Sequence, residues 1–297
     1  MNWKKKLLAI IKRYPFYRTR IVLRTVKHKI FSTRIEPITD LCIETTTYCN
    51  RKCSYCPNSV FERGLRKNEH LMAPALFRKI VDELADIGFK GRLYPHLFGE
   101  PLTDSRLISF MHYVHVRLPK ARPIIFTNGD FLTPTLLDKL YAVGVRDFVI
   151  TLHSTDDASL TYGVDRVKQL KKHAKDQNKD ISLQCQAHLD ERQLFNRGGL
   201  VEVDQPVSPW PPRWLTRPNY CYADSPVSIN YRGDVVICCN DYLGQVVFGN
   251  LCDESLKDIW SKSEFVKIRR QLERGVYTLD ICKKCTSTGS EWVTTAL

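Results

Sequence analysis

No stretch of this 297-residue chain reaches the roughly 18 consecutive apolar residues of a membrane-crossing helix, so none is predicted. Acidic residues are absent from positions 1–34, where eleven Lys or Arg stand. Charge interrupts every apolar run in "MNWKKKLLAIIKRYPFYRTR" and no small-residue cleavage site follows, which argues against a secretory leader. Of the net charge of +13, +11 belongs to this segment and only +2 to the rest. The basicity is therefore an N-terminal extension over 1–38 and not a groove in the body. With no RNA-binding module either, no nucleic-acid partner is expected. Trp3, Leu7, Leu8, Ile10 and Ile11 interleave the basic residues. The extension reads as a membrane-surface helix or a dock for an acidic partner, or else as a helix packed on the body with a solvated basic face.

Cysteine is not scarce: there are eleven. Without an export signal, that number argues for metal or redox chemistry before disulfides, and places the protein in the cytoplasm, peripheral at the inner membrane surface if the extension binds there. Cys49, Cys53 and Cys56 stand within eight residues, followed by Pro57; Cys221, Cys238, Cys239, Cys282 and Cys285 group near the other end. Cys42, Cys185 and Cys252 stand alone, and for the first two a small buried hydrophobe is the default reading.

Between about 39 and 188, β-rich runs alternate with helical patterns. The strand candidates are "LCIETT" (41–46), "RLYPHLF" (92–98), "PIIFT" (123–127), "DFVITL" (147–152) and "ISLQCQ" (181–186). "APALFRKIVDELADIG", "PTLLDKLYAVG" and "GVDRVKQLKKHAK" read as helices between them. Such alternation predicts an α/β fold with a parallel sheet, open or closed into a barrel, whose chemistry lies in loops at the strand C-termini. The cysteine loop, "GEPLTD" (99–104), "NGDF" (128–131) and "HST" (153–155) follow the first four strands. "NRGGLVEVDQPVSPWPPRW" (196–214) is the best domain boundary, which divides the chain into 1–38, 39–200 and 201–297. Beyond it "VSINYRGDVVIC" reads as a hairpin turning at Arg232–Gly233–Asp234, and "LKDIWSKSEFVKIRRQLERG" as one helix ended by Gly275.

Three thiolates on one loop can hold three irons of a 4Fe–4S cluster and leave the fourth open to an outside ligand. Structural zinc would want a fourth Cys or His close by, and none lies within thirteen residues after Cys56. The late set, Cys221, Cys238, Cys282 and Cys285, offers four thiolates, which suit a closed 4Fe–4S cluster or structural zinc equally on spacing.

"CNRKCSYC" (49–56) resembles the signature loop of radical S-adenosylmethionine (radical SAM) enzymes. The resemblance implies a partial (β/α)6 radical SAM barrel, a 4Fe–4S cluster on Cys49, Cys53 and Cys56, and SAM on the open iron, cleaved to a 5′-deoxyadenosyl radical. It implies SAM contacts from Tyr55 beside the adenine, Gly99 and Glu100 of "GEP", Thr127 and Asn128 of "TNG", and Ser154. The spacing around Gly233, the "DIW…F…R" helix and the late CxxC look like a SPASM/Twitch auxiliary-cluster domain. No cysteine follows Cys285, which indicates the shorter Twitch form, with a second 4Fe–4S cluster on Cys221, Cys238, Cys282 and Cys285.

Within the family, "CNRKCSYCPNSV", "ARPIIFTNGDFLT" and "NRGG" are similar to the branch that oxidises an alcohol of 2-deoxy-scyllo-inosamine in aminoglycoside biosynthesis. The implied reaction takes hydrogen from a carbinol carbon of a cyclitol, aminoglycoside or sugar, with Arg197 against the substrate hydroxyl and a flavodoxin- or ferredoxin-type reductant. Phe98 and Phe126 depart from this branch, standing where tyrosine hydroxyls are expected. The rivals are a redox-neutral epimerase with Cys239 or Cys252 as hydrogen donor, a peptide maturase, and a non-catalytic metal scaffold.

Overall fold

The computed structural model describes residues 37–153, 157–188, 196–201, 226–273 and 276–286. The basic extension, Ser154, Cys221 and Gly275 lie outside them.

The first half repeats strand and helix. In order come β1 (Asp40–Ile43), α1 (Pro74–Asp86), β2 (Arg92–Tyr94), α2 (Leu107–Arg117), β3 (Arg122–Thr127), α3 (Pro134–Ala142), β4 (Asp147–His153), α4 (Asp157–Asp176) and β5 (Ser182–His188). Each of the five stretches read as strands overlaps one, although β1 ends at Ile43 and β2 at Tyr94, and each strand from β2 on pairs in parallel with its predecessor. Strand periodicity sets the two faces. Leu41 and Ile43, Leu93, Ile125, and Phe148 and Ile150 point at the helices, all almost fully buried. Proline opens α1 and α3, where its missing N–H costs nothing, and Thr133 caps α3 by accepting from the Leu136 N–H at 3.2 Å. From α1, Phe77 stacks on Phe110 of α2 with ring centres 4.1 Å apart.

Helix α2 was not legible as a helix. "LISFMHYVHVR" carries apolar and aromatic residues on several sides and no acidic residue in its first turn, so its periodicity is blurred. Its inner face (Leu107, Phe110, Met111, Val114) is nonetheless buried.

The second half adds β6 (Pro226–Ile229), β7 (Asp234–Val236), β8 (Val247–Asn250), α5 (Leu256–Ser261), α6 (Ser263–Glu273) and α7 (Asp280–Thr286). The sheet runs β5-β4-β3-β2-β1-β6-β7-β8 and is not closed; β6 is parallel to β1, while β7 and β8 are antiparallel. A sixth parallel strand is therefore present, but it lies on the far side of β1 and not beyond β5. Helix α1 joins the two halves, since Glu83 accepts from the Leu256 N–H at 2.6 Å and Lys79 donates to the Glu254 carbonyl at 3.1 Å.

Two expectations are corrected. The stretch 256–273 is two helices, because Lys262 takes an extended conformation between them (ψ 131°). Cys185 is exposed, not buried, as are its neighbours Gln184 and Gln186 on β5, the end strand of the sheet.

Candidate active site

The three-cysteine loop leaves β1 at the C-terminal edge of the sheet and is fastened from three directions. The Cys49 N–H donates to the Gly64 carbonyl (3.1 Å) and the Cys56 N–H to the Cys53 carbonyl (2.9 Å), closing the turn that carries the thiols. Buried Asn58 donates to the Phe98 carbonyl (3.2 Å) and accepts from the Tyr242 hydroxyl (2.8 Å). Arg51 grips Asp130 with two bonds of 2.6 Å and donates to the His153 carbonyl at 2.6 Å; Asn50 adds 2.7 Å to Asp130. Burial alone would raise the Asp130 pKa, but the bonds from Arg51 and Asn50 outweigh it and the net shift is downward. The loop is thus tied to the ends of β3 and β4 by Asn50, Arg51 and Asp130, none of which the sequence reading singled out. The signal available was an Asn-Arg inside the cysteine motif and an Asp after "TNG".

Burial pushes Cys49 up to about 12 and Cys53 to about 11, with the neighbouring thiols adding to both. Cys56 is also raised by burial, against the pull of the Asn58 backbone and the Arg197 guanidinium. The thiols are near enough to sense one another, while among the described residues no three His, Cys, Asp or Glu side chains close on a single ion. Neighbouring but unconverged thiols fit a multi-iron cluster, whose ligands stand apart around its corners. Tyr55, between two of them, has its ring 5.5 Å from that of His153.

Glu100 is 4% exposed and organises the next two loops. Its carboxylate accepts from the Thr127 hydroxyl (2.6 Å), the Asn128 N–H (2.8 Å) and the Leu102 N–H (3.1 Å). Asn128 in turn donates to Asn50 at 2.8 Å, so GEP, TNG and the cysteine loop form one network. Burial raises the Glu100 pKa in spite of these bonds. Two glycines permit the arrangement. Gly129 adopts φ +80°, and a Cβ on Gly99 would stand 2.1 Å from the Thr46 carbonyl oxygen. Gly99→Ala must displace backbone; we expect a loss of about 2–3 kcal/mol and a melting temperature lower by roughly 5–10 °C. Thermal unfolding by circular dichroism checks this, and an unchanged transition would contradict the close approach.

On the other side, "NRGG" lies against α7. Asn196 donates to the Lys284 carbonyl (2.8 Å), and Arg197, at φ +50°, donates to Asn240 Oδ1 (3.2 Å). Asn240 also directs its backbone N–H at Cys238 Sγ (3.4 Å) and its side-chain amide at Cys285 Sγ (3.7 Å). Cys282 and Cys285 are three apart on α7 and share a face. The thiols of 238 and 285 thus meet through Asn240, another residue the sequence reading did not use; Cys221 is outside the described residues. Burial raises the thiol pKa of Cys239 and Cys285, and the Arg197 guanidinium opposes that shift in both, as it does in Cys56.

Cys239 and Cys238 lie in the turn after β7, not on an extended strand, yet they do face different surroundings. Cys238 packs against the main core, and Cys239 against a small cluster with Cys42, Leu97 and Val236 on the other face of the sheet. Cys252 is not brought into the site: it is exposed on the turn after β8, near the Arg232 carbonyl.

An open, largely parallel sheet, a three-thiol loop at its C-terminal edge and a second thiol group beyond it are the features of an iron–sulfur protein. The chain belongs to the radical SAM superfamily: the model of that superfamily matches residues 43–192, and one described as an iron–sulfur cluster-binding domain, SPASM, matches 221–286. Its cofactors are SAM and iron–sulfur clusters, which the donor groups described above fit. Among curated proteins, the S-adenosyl-L-methionine-dependent 2-deoxy-scyllo-inosamine dehydrogenase of Niallia circulans is 32% identical over 250 residues, 82% of this chain and 91% of that one. A GTP 3′,8-cyclase of Nostoc punctiforme is 28% identical over 109 residues, covering 36% of this chain and 32% of its own. Among solved structures, that of BtrN in complex with AdoMet and 2-DOIA aligns with a TM-score of 0.70 at 30% identity, covering 85% of this chain and 94% of BtrN. The fold is also shared by anSMEcpe with bound AdoMet and a peptide (TM-score 0.51, 16% identity, 78% and 84% covered). No helix among the described residues is long and apolar enough to cross a membrane.

Proposed function

We propose that this enzyme oxidises a secondary alcohol on an amino- or polyhydroxylated ring to a ketone, the reaction type in the name of its Niallia circulans relative. The observation that carries this reading is Arg197, bonded to Asn240, whose side-chain amide also meets the Cys285 sulfur, with the Arg197 charge also opposing the burial-driven rise of the Cys56 thiol pKa. When bound, SAM with the first cluster supplies a 5′-deoxyadenosyl radical, and the auxiliary 4Fe–4S cluster an acceptor for one electron. Cys49, Cys53 and Cys56 would hold the first; Cys221, Cys238, Cys282 and Cys285 the second. Glu100, Thr127, Asn128, Gly99, Tyr55 and Ser154 would line the SAM site, with Glu100 facing the ammonium. Removing hydrogen from a carbinol carbon leaves a radical whose hydroxyl is far more acidic than the alcohol. A guanidinium at that oxygen favours the deprotonated form and holds the ring in place. A flavodoxin- or ferredoxin-type protein would supply the priming electron.

The test is anaerobic reconstitution followed by incubation with SAM, dithionite and 2-deoxy-scyllo-inosamine. A product two mass units lighter, formed with one 5′-deoxyadenosine per ring, supports the reading. Deoxyadenosine formation that no ring polyol stimulates or couples to oxidation would reject it.

Cys239 carries a second reading, epimerisation, because its half-buried thiol packs in the same cluster as Cys42 and Tyr94. Run in deuterium oxide, an epimerase would return a ring of unchanged oxidation state carrying one carbon-bound deuterium. We expect the ketone instead, and Cys239→Ala to retain its formation within about threefold; a deuterated epimer would decide for the alternative.

A further inference from the structure

Opposite the helices, the sheet presents a concave face built in layers. Its floor is polar and closed: Arg92 bonds Asp40 at 2.6 Å, the Tyr94 hydroxyl donates to Asp40 at 2.9 Å, and Arg122 donates to Asp147 at 2.6 Å. Its rim is the network of Glu100, Asn128 and the cysteine loop. The layer between is apolar and incompletely covered. Tyr94, Phe98 and Phe126 keep partial exposure, whereas Leu93 and Ile125, their neighbours on the helix side, are fully buried. Tyr94 and Phe126 meet edge to face at 5.4 Å, and Phe98 meets Tyr242 at 4.8 Å.

His96 is one of the polar side chains on this face, which also carries Thr151 of β4 and Gln184 and Gln186 of β5. It lies two residues beyond Tyr94, past the end of β2, and its imidazole stacks on Phe126 with ring centres 5.3 Å apart. Its Nδ1 is closed to solvent and has no hydrogen-bond partner among the described residues, although the residue as a whole keeps partial exposure. Burial holds its pKa down to about 4, so the ring is neutral near pH 7. An imidazole nitrogen left without a partner is unfavourable, and a bound molecule can relieve that cost by supplying the missing bond.

We propose that His96 is a specificity-determining residue that hydrogen-bonds a neutral hydroxyl of the ring substrate. This rests on the ring-oxidation reading above and identifies the substituent that the concave face recognises. A neutral imidazole has one donor and one acceptor nitrogen, the complement of a hydroxyl, which both donates and accepts. An anionic substituent would call for a cation in this layer, and an ammonium for a carboxylate. The floor carboxylates of Asp40 and Asp147 are engaged by Arg92 and Arg122. Phe126, on which His96 stacks, offers apolar surface, so beside it the imidazole is the group that can distinguish a hydroxylated carbon from a deoxy one.

The test uses the reconstituted full-length enzyme with SAM, dithionite, 2-deoxy-scyllo-inosamine and a set of analogues each lacking one hydroxyl or the amine. For the complete ring, His96→Phe is expected to lower kcat/KM on the order of a hundredfold, and His96→Asn, which keeps a donor and an acceptor, by less than about tenfold. Iron content and circular dichroism confirm that both variants are loaded and folded. For one hydroxyl-deleted analogue, wild type and His96→Phe should react equally, because the partner of the imidazole is already gone. A purely structural role would instead lower every analogue by the same factor, and that result overturns the proposal. It is also overturned if His96→Phe matches wild type throughout, or if the analogue that equalises the two enzymes is the one lacking the amine. Failure of the wild type to oxidise any of these rings rejects the ring-oxidation reading itself, and the role of His96 with it.

Discussion

Replacing Cys49, Cys53 and Cys56 together by alanine is expected to lower the reconstituted enzyme from about eight irons per chain to about four, and to abolish 5′-deoxyadenosine formation. The loss should be complete because these thiols stand on one short loop whose position is set by its own fastenings. Asn50 and Arg51 hold it to Asp130, and Asn58 holds it to the Phe98 carbonyl and Tyr242. Those bonds do not use the thiols, so the variant should fold and retain the auxiliary set. Iron and sulfide analysis with a deoxyadenosine assay reads both halves of the expectation. Eight irons in the variant, or SAM cleavage that persists, would remove these cysteines from the radical-forming site. Four irons in wild type, with zinc on the late cysteines, would return that set to a structural role.

Arg197→Ala should have the next largest effect, lowering ring oxidation by roughly 10²- to 10³-fold while SAM cleavage in the absence of a ring continues. Asn240 orients the guanidinium through an acceptor oxygen, which supplies no charge of its own. Arg197→Lys should recover only part of the loss, since an ammonium keeps the charge but not the planar fork. Asn240→Ala should lower kcat/KM by about tenfold through the freed arginine, and it should also perturb the auxiliary-cluster spectrum, because the Asn240 side-chain amide donates to the Cys285 sulfur. Equal loss of ring-independent SAM cleavage in Arg197→Ala would show that the residue serves the first site, and not the substrate.

The parts of the site legible beforehand are those whose geometry is carried by adjacent residues. Three thiols at C-x3-C-x2-C must share one loop, and Cys282 and Cys285 must share a helical face. The alternating strand and helix runs of 39–188 are read from side-chain periodicity, which depends on neighbours a few positions away. Helix α2 escaped because its aromatic and apolar residues are spread around the axis. The break at Lys262 escaped because an α-helical pattern continues on both sides of it.

Fold class, the grouping of the cysteines along the chain and the register of GEP and TNG on successive strand ends were therefore determined by the sequence alone, since chain spacing and periodicity confine them. Tertiary structure decided which distant side chains meet. It brought Arg51 to Asp130 across 79 positions and Arg197 to Asn240 across 43. It laid β6 on the far flank of β1, left Cys252 outside the site, and placed His96 beside Phe126 with one nitrogen unpartnered. Such meetings are set by sheet order and by where long connections return. Neither leaves a local trace, because the free energy that selects them comes from burial and hydrogen bonding summed over the whole core.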